Sequence, residues 1–340
     1  MDRWRSFASE QTLQWLMEEN NPSVRYFTLT DLLDTPIEDD EALKAKAAIQ
    51  RTGLVPQMLE MMARPSYQDT YRRFYTYKYE GLVWSLITLA ELGAEPNDQI
   101  RTMCEYLLLN SQELEDGGFS MNTAQKTGGG RKSEVIPCLT GNLVWVLIHF
   151  GYLEDERLQK ALDHLVRFLV LNDGEVVEPQ VAPYDRYDMC WGAHTCFMAV
   201  VKALKGLSAV PKEVRTKQQQ AQLDRLVEFM LIHHIYKSSH NLKKKAKPLW
   251  LHFAFPLMYQ TDVLEILDIL VSEQVKDRRT EEALQVVLEK QNHQGRWLMG
   301  NSYASERLLI PMERKGEESK WVTLRSLRVI KRYSEQSDAS

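Results

Sequence analysis

The sequence contains few of the residues that build turns and few cysteines. Its 340 residues include 16 glycines and 12 prolines, which excludes collagen-like and low-complexity chains and leaves little turn material for a many-stranded β-protein. Four cysteines give no disulfide framework in a chain of this length. A reducing compartment is therefore favoured, and we expect a cytoplasmic protein.

Long hydrophobic runs and a strong excess of one charge are also absent. No apolar run is long enough to span a membrane, and the first residues, MDRWRSFASEQ, lack the apolar centre of a signal peptide. With 42 Lys and Arg against 47 Asp and Glu, the net charge is −5, which argues against a general nucleic-acid binder. The remaining class is a soluble, mostly helical protein.

Two kinds of predicted helix alternate along the chain. The first kind is amphipathic: in 155–171 the apolar residues fall on one face and the charged residues on the other, and 97–111, 219–235 and 278–291 share this pattern. The second kind is apolar nearly all round. Such segments are 82–92 and 139–150, with others starting near Ser23, Asp188, Leu251 and Lys320.

The repetition of these segments predicts the architecture. A helix that is apolar on every side must be buried on every side, and six of them recur at intervals of roughly 50 to 70 residues. A linear array would leave the first and last without a partner, whereas a closed ring buries all six. We therefore predict an all-α fold, an (α/α)6 toroid of six inner and six outer helices. It forms one domain over 1–333, followed by a disordered polar tail at 334–340.

Aromatic residues and glycines recur at fixed places in the repeats. Five tryptophans stand at or near the starts of the apolar segments, so either they line a central cavity together with Tyr259 or they pack between neighbouring hairpins. They are Trp84, Trp145, Trp191, Trp250 and Trp321. The turns at 116–119, 172–174 and 291–297 each contain glycine. In 291–297, which reads Q-x-x-x-G-x-W, the glycine allows a left-handed turn, the aromatic residue packs back on the helix end, and the glutamine bonds carbonyl groups of that helix.

These motifs carry a resemblance to a known family. QNHQGRW at 291–297, its degenerate copy QELEDGGF at 112–119 and the six-hairpin rhythm resemble the terpenoid cyclase and protein prenyltransferase superfamily of α/α toroids. PCLTGNLVW, MCWGAHTC and SKWVTLRSLRVIKR are similar to bacterial squalene-cyclase-like proteins of undefined function. The resemblance implies an apolar ligand, an isoprenoid that carries a diphosphate, bound in an aromatic central cavity.

The resemblance also implies catalytic and metal-binding residues. Class II cyclases use the middle aspartate of a D-x-D-D motif as the acid; this chain lacks that motif, and Asp185 with Asp188 is its nearest pair. Prenyltransferase β-subunits hold zinc through Asp-x-Cys and a histidine, which here implies Asp188, Cys190 and His252. His194 is an alternative zinc ligand, because it is four residues after Cys190 and shares its helical face.

Two basic segments precede apolar segments. In 126–132, Arg131 and Lys132 flank a glycine-rich stretch and are expected to contact a diphosphate, although a flexible connection explains the same composition. The basic segment 241–247 is expected either at the cavity mouth or as a solvated loop. The sequence leaves open whether the chain is an enzyme or a non-catalytic toroid that binds a ligand or a protein partner.

Overall fold

The computed structural model describes residues 3–175, 190, 194–302 and 307–338, and these residues are mostly helical, as predicted. Within those ranges, no helix is both long and apolar enough to cross a membrane. A two-stranded antiparallel hairpin, β1 (Lys237–Ser238) and β2 (Asn241–Lys245), accompanies the helices. In chain order the helices are α1 (Glu10–Leu16), α2 (Pro22–Phe27), α3 (Asp40–Arg51), α4 (Leu54–Met62), α5 (Pro65–Gln68), α6 (Leu82–Glu91), α7 (Asp98–Asn110), α8 (Pro137–His149), α9 (Glu156–Phe168), α10 (Phe197–Ser208), α11 (Lys217–Ile232), α12 (Val263–Ser272), α13 (Glu281–Glu289) and α14 (Lys320–Asp338).

Buried and half-exposed helices alternate. Every residue of α6 from Leu82 to Ala90 is buried, and α8 and α10 are buried over most of their length. Each of α2, α6, α8, α10 and α12 packs against the half-exposed helix that follows it, and the buried helices contact one another in the series α6, α8, α10, α12, α14, α2. The alternation predicted from the hydrophobic pattern is therefore present.

Glycine allows the closest helix contact. A Cβ atom on Gly141 in α8 would lie 2.3 Å from the Lys202 carbonyl oxygen in α10, and one on Gly206 would lie 2.8 Å from the Gly141 carbonyl oxygen. The two backbones touch because neither position carries a side chain. No larger residue fits at this crossing unless the helices move apart.

The turns follow the predicted chemistry. Gly117 and Gly295 have φ values of 79° and 80°, in the left-handed region. The buried Trp297 packs against α13 and donates its indole N–H to the Val287 carbonyl at 2.7 Å. Gln112 donates its amide to the carbonyls of Gly117 and Arg157, at 2.9 and 2.6 Å. The roles predicted for the glycine and the aromatic residue of 291–297 are confirmed, whereas Gln291 donates to the Phe7 carbonyl at 2.6 Å rather than to the end of the preceding helix.

The same turns share a threonine contact with the next buried helix. The Phe119 backbone N–H donates to Thr140 Oγ1 at 2.9 Å, and the Trp297 backbone N–H donates to Thr323 Oγ1 at 3.0 Å. Both threonines are the fourth residue of their helix. The recurrence supports a common structural unit at the two places.

Two predicted boundaries were wrong. The helix expected to begin near Leu251 begins at Val263, because Pro256 cannot donate a helical hydrogen bond and Asp262 caps the helix by accepting from the Glu265 N–H at 2.8 Å. The segment 334–340 was predicted as a disordered tail, but α14 continues to Asp338. The single domain over 1–333 stays a prediction.

A buried histidine makes the fold sensitive to pH. His164 in α9 packs under the 112–119 turn, with Nδ1 3.2 Å from the Asp116 carbonyl oxygen and Nε2 buried without a hydrogen-bond partner. Burial lowers the pKa of His164 from 6.5 to about 4. A depressed histidine pKa means that the folded state resists protonation, so the stability contributed by neutral His164 is present above pH 6.5 and decreases as the pH falls towards 4.

We predict that His164→Gln flattens the pH profile of stability. Between pH 6.5 and 4 the wild type should lose about 3 kcal/mol more than the variant, because unfolding its chain takes up one extra proton. Urea unfolding at several pH values measures this difference. Parallel profiles for the two proteins would contradict the assignment.

Candidate functional site

Three side chains form a group that could hold a metal ion. One ligand atom from each of Asp173, His194 and His240 lies within 4.8 Å of the other two. Asp173 follows α9, His194 precedes α10, and His240 lies in the turn between β1 and β2. Asp173 and His194 therefore come from the connection between α9 and α10, and His240 comes from the connection between α11 and α12. Both connections lead from a half-exposed helix towards a buried one.

The spacing of these atoms suits a small divalent ion. His194 Nδ1 is 3.6 Å from Asp173 Oδ1, and His240 Nε2 is 3.6 Å from Asp173 Oδ2. With zinc–ligand distances of about 2.1 Å, tetrahedral ligand atoms lie about 3.4 Å from one another. The carboxylate and imidazole atoms thus stand near the required separation before any ion is bound.

Backbone pairing fixes Asp173 beside His194. The two residues form an antiparallel β-bridge, and the Thr195 N–H donates to the Asn172 carbonyl at 2.8 Å. Gly174 has φ of 91°, and a Cβ atom there would lie 2.7 Å from the His194 ring. A side chain at residue 174 would push the histidine ring out of its position.

His233 contacts the Asp173 carboxylate from the end of α11. It is buried at the end of α11, with Nδ1 2.6 Å from the Phe229 carbonyl oxygen and Nε2 3.3 Å from Asp173 Oδ1. Burial favours the neutral carboxyl, but a hydrogen bond from Ser239 and the nearby His233 and His240 hold the pKa of Asp173 below its usual range. Asp173 therefore carries an ionised carboxylate that could serve as a metal ligand, and His233 helps to position it.

One of the predicted metal ligands belongs to this group. His194, the predicted alternative, lies in it, whereas Cys190 and His252 belong to no such group among the described side chains. Asp188 lies outside the described residues, as do Asp185 and Trp191, so the set Asp188, Cys190 and His252 stays a prediction.

Sequence reasoning missed Asp173 and His240. Asp173 stands in the glycine-containing turn that was assigned only a backbone role, and His240 precedes a run of lysines. The available signal was two histidines and an aspartate that all lie in connections at one end of the helices. Spacing along the chain carries no such information, because 67 residues separate Asp173 from His240.

A cluster of aromatic side chains contains two of the predicted ligand-binding residues. The ring centroids of Trp84 and Tyr259 are 6.0 Å apart, Tyr79 lies 5.5 Å from Trp84, and Tyr75 lies 4.9 Å from it. The Lys78 ammonium group lies over three of these rings. We call Tyr75, Lys78, Tyr79, Trp84 and Tyr259 the aromatic cluster.

The other predicted ligand-binding residues lie elsewhere. Trp250 packs on Phe197 with a centroid distance of 5.6 Å. Arg131 pairs with Glu134 at 2.5 Å, and Lys132 pairs with Glu115 at 2.6 Å and Asp116 at 3.1 Å. The charges expected to contact a diphosphate are thus neutralised within the protein.

Trp145 and Trp321 line a cavity of about 300 Å³ between the buried helices. Its walls also carry charged side chains, which sequence reasoning did not anticipate. Glu91, whose side chain is 8% exposed, pairs with Lys205 and Arg325, while Arg328 pairs with Asp268. These charged residues are Glu91, Lys205, Glu265, Asp268, Arg325 and Arg328.

A comparison of the chain with protein-family models and with curated proteins finds no match.

The buried pair Lys202–Glu265 gives a test of this charge network. Lys202 is completely buried, and its Nζ lies 2.7 Å from both oxygens of Glu265. Although burial acts in the opposite direction, Lys202 and Lys205 hold the pKa of Glu265 below its usual range. Burial lowers the pKa of Lys202, and the Glu265 carboxylate opposes that change.

We predict that Glu265→Leu lowers the free energy of unfolding by about 3 to 5 kcal/mol, because it leaves a buried ammonium without its partner. Lys202→Met should cost less, since Lys205 Nζ lies 3.5 Å from Glu265 and remains. Combining the two substitutions should restore much of the loss in urea unfolding. A double variant whose loss equals the sum of the single losses would contradict the pairing.

Proposed function

We propose that the chain is a zinc-binding protein in which Asp173, His194 and His240 hold one ion. The observation that carries this proposal is the convergence of three ligand atoms from two connections within 4.8 Å. Imidazole and carboxylate groups suit zinc, and the carboxylate is ionised at neutral pH.

The chain's own residues would prepare this site. His233 and the β-bridge orient Asp173 and His194, whereas the His240 Nε2 lies 2.6 Å from the Asp173 carbonyl oxygen and must leave this hydrogen bond to bind an ion. With three protein ligands, a zinc ion keeps a fourth position for water or a substrate atom and can lower the pKa of that water.

The proposed architecture is the (α/α)6 toroid, with α2, α6, α8, α10, α12 and α14 as its inner helices. Supporting it, residues from all six of these helices line the same cavity. The hairpin pairing of each buried helix with its half-exposed successor also agrees with a ring. The metal group then lies at the end of the toroid where the inner helices begin.

A second candidate function is binding of an apolar ligand at the aromatic cluster. The contact between Trp84 and Tyr259 favours it, because both residues were expected in the ligand site and their ring centroids are 6.0 Å apart. An isoprenoid, as the resemblance to prenyltransferases and terpenoid cyclases implies, is the proposed class. The competing proposal is a non-catalytic toroid, which would bind such a ligand or a protein partner without converting it.

We predict that the chain binds one zinc ion and that Asp173→Asn, His194→Gln and His240→Gln each weaken binding about 100-fold or more, because each removes a direct ligand. Affinity should fall as the pH decreases, since zinc binding to imidazole ligands releases protons. Competition titration with a chromophoric chelator measures both effects.

His252→Gln is the matched control, because His252 is exposed and belongs to no described metal group. Its affinity should equal that of the wild type. If His252→Gln or Cys190→Ser loses zinc while the variants of Asp173, His194 and His240 keep it, the zinc site is the one implied by the resemblance and not the one proposed here. No zinc in any protein after metal-supplemented purification would reject both.

A further inference from the structure

The aromatic cluster contains an amine in an unusual position. The Lys78 Nζ lies 4.2 Å from the centroid of the Tyr259 ring, 5.2 Å from that of Tyr75 and 5.8 Å from that of Trp84. Three aromatic faces therefore surround one lysine head group. Tyr259 and Lys78 are both half-buried, so part of each side chain faces solvent, whereas Tyr75 and Trp84 are buried.

Within the described part of the chain, no carboxylate lies close enough to form an ion pair with Lys78. Its Nζ donates no hydrogen bond there either. Burial lowers the pKa of Lys78, and the nearby Cys138 opposes that change. The cation–π contacts favour the ammonium form as well. Burial outweighs these two effects, so a larger fraction of the amine is neutral than in an exposed lysine.

The unpartnered acceptor of Gln260 also lies in this region. Its amide donates to the Tyr79 hydroxyl at 2.7 Å, whereas its Oε1 is buried and has no hydrogen-bond partner. A buried acceptor without a donor is costly. A ligand that brings a hydroxyl group to the cluster would satisfy it.

We propose that Lys78 is a nucleophilic amine that condenses with the carbonyl group of an apolar aldehyde held by Tyr75, Trp84 and Tyr259. The neutral Nζ attacks the carbonyl carbon, a C–N bond forms, and the carbonyl electron pair moves to oxygen. The nitrogen loses a proton and the oxygen gains one, which gives a carbinolamine. Loss of water then leaves a C=N bond, and no atom changes its oxidation state overall.

The surroundings of Lys78 favour this class of ligand. The half-buried rings of Tyr79 and Tyr259 offer apolar contact area to a hydrocarbon chain, and the Gln260 Oε1 can accept a hydrogen bond from the carbinolamine hydroxyl. The inference rests on the second candidate function, binding of an apolar ligand at the aromatic cluster. It does not depend on zinc at Asp173, His194 and His240.

Trapping with octanal and cyanoborohydride tests the inference on the full-length protein. Reduction of the imine fixes one octyl group, which peptide mass spectrometry locates. We expect Lys78 to be labelled several-fold faster than Lys243 and Lys244, two exposed lysines of β2. Octanol, which lacks a carbonyl group, should slow the labelling of Lys78 and leave that of the two exposed lysines unchanged.

Variants distinguish the two parts of the proposal, the apolar ligand site and the nucleophilic lysine. Lys78→Arg keeps the charge and should abolish the cluster adduct, Tyr259→Leu should slow its formation several-fold, and the control Lys244→Arg should change neither. If octanol quenches tryptophan fluorescence in the wild type but not in Trp84→Phe, and Lys78 is labelled no faster than Lys244, the ligand site stands and the nucleophile is rejected. If octanol has no effect on Trp84 fluorescence or on labelling, the ligand site is rejected as well.

Discussion

The structure depends on one constraint: a helix that is apolar on every side must be covered on every side. In α6 and α8 this constraint acts along nearly the whole helix, so each needs neighbours all round. Glycine at 141 and 206 lets α8 and α10 approach until their backbones touch. The half-exposed helices then cover what the buried helices leave uncovered, and the connections meet at the ends of the bundle.

Charge inside such a bundle must be balanced locally. Glu91 is the single charged residue of the apolar segment 82–92, and it lies between Lys205 and Arg325. Burial acts against ionisation, but these two cations lower the pKa of Glu91 from its usual value of 4.5 to about 2. The carboxylate stays ionised at neutral pH, and each charge of the cavity wall depends on partners from another helix. The cavity is therefore polar as well as aromatic.

Hydrophobic periodicity predicted the fold better than the site. The alternation of helices, the left-handed glycines and the contact of Trp297 with α13 follow from local sequence, because each is decided within one or two turns. The start of α12 was missed, since Pro256 and the cap at Asp262 outweigh an apolar composition. Boundaries of this kind depend on single residues within an otherwise uniform pattern.

The site was harder to predict because its residues are distant in sequence. His194 was noted for its spacing to Cys190, yet its neighbours are Asp173, near the start of the same connection, and His240, in the connection between α11 and α12. The charged cavity wall had a visible signal, the isolated charges on apolar helices such as Glu91. Those charges indicate polar partners but not which ones, because the partners belong to helices far along the chain.

The metal centre is the claim on which the functional account depends. The most direct measurement is X-ray diffraction from zinc-loaded crystals, recorded on both sides of the zinc absorption edge. The account predicts one anomalous peak about 2.0 to 2.2 Å from a carboxylate oxygen of Asp173 and from ring nitrogens of His194 and His240. A peak at Cys190 and His252 instead, or no peak between the three side chains at saturating zinc, would contradict it.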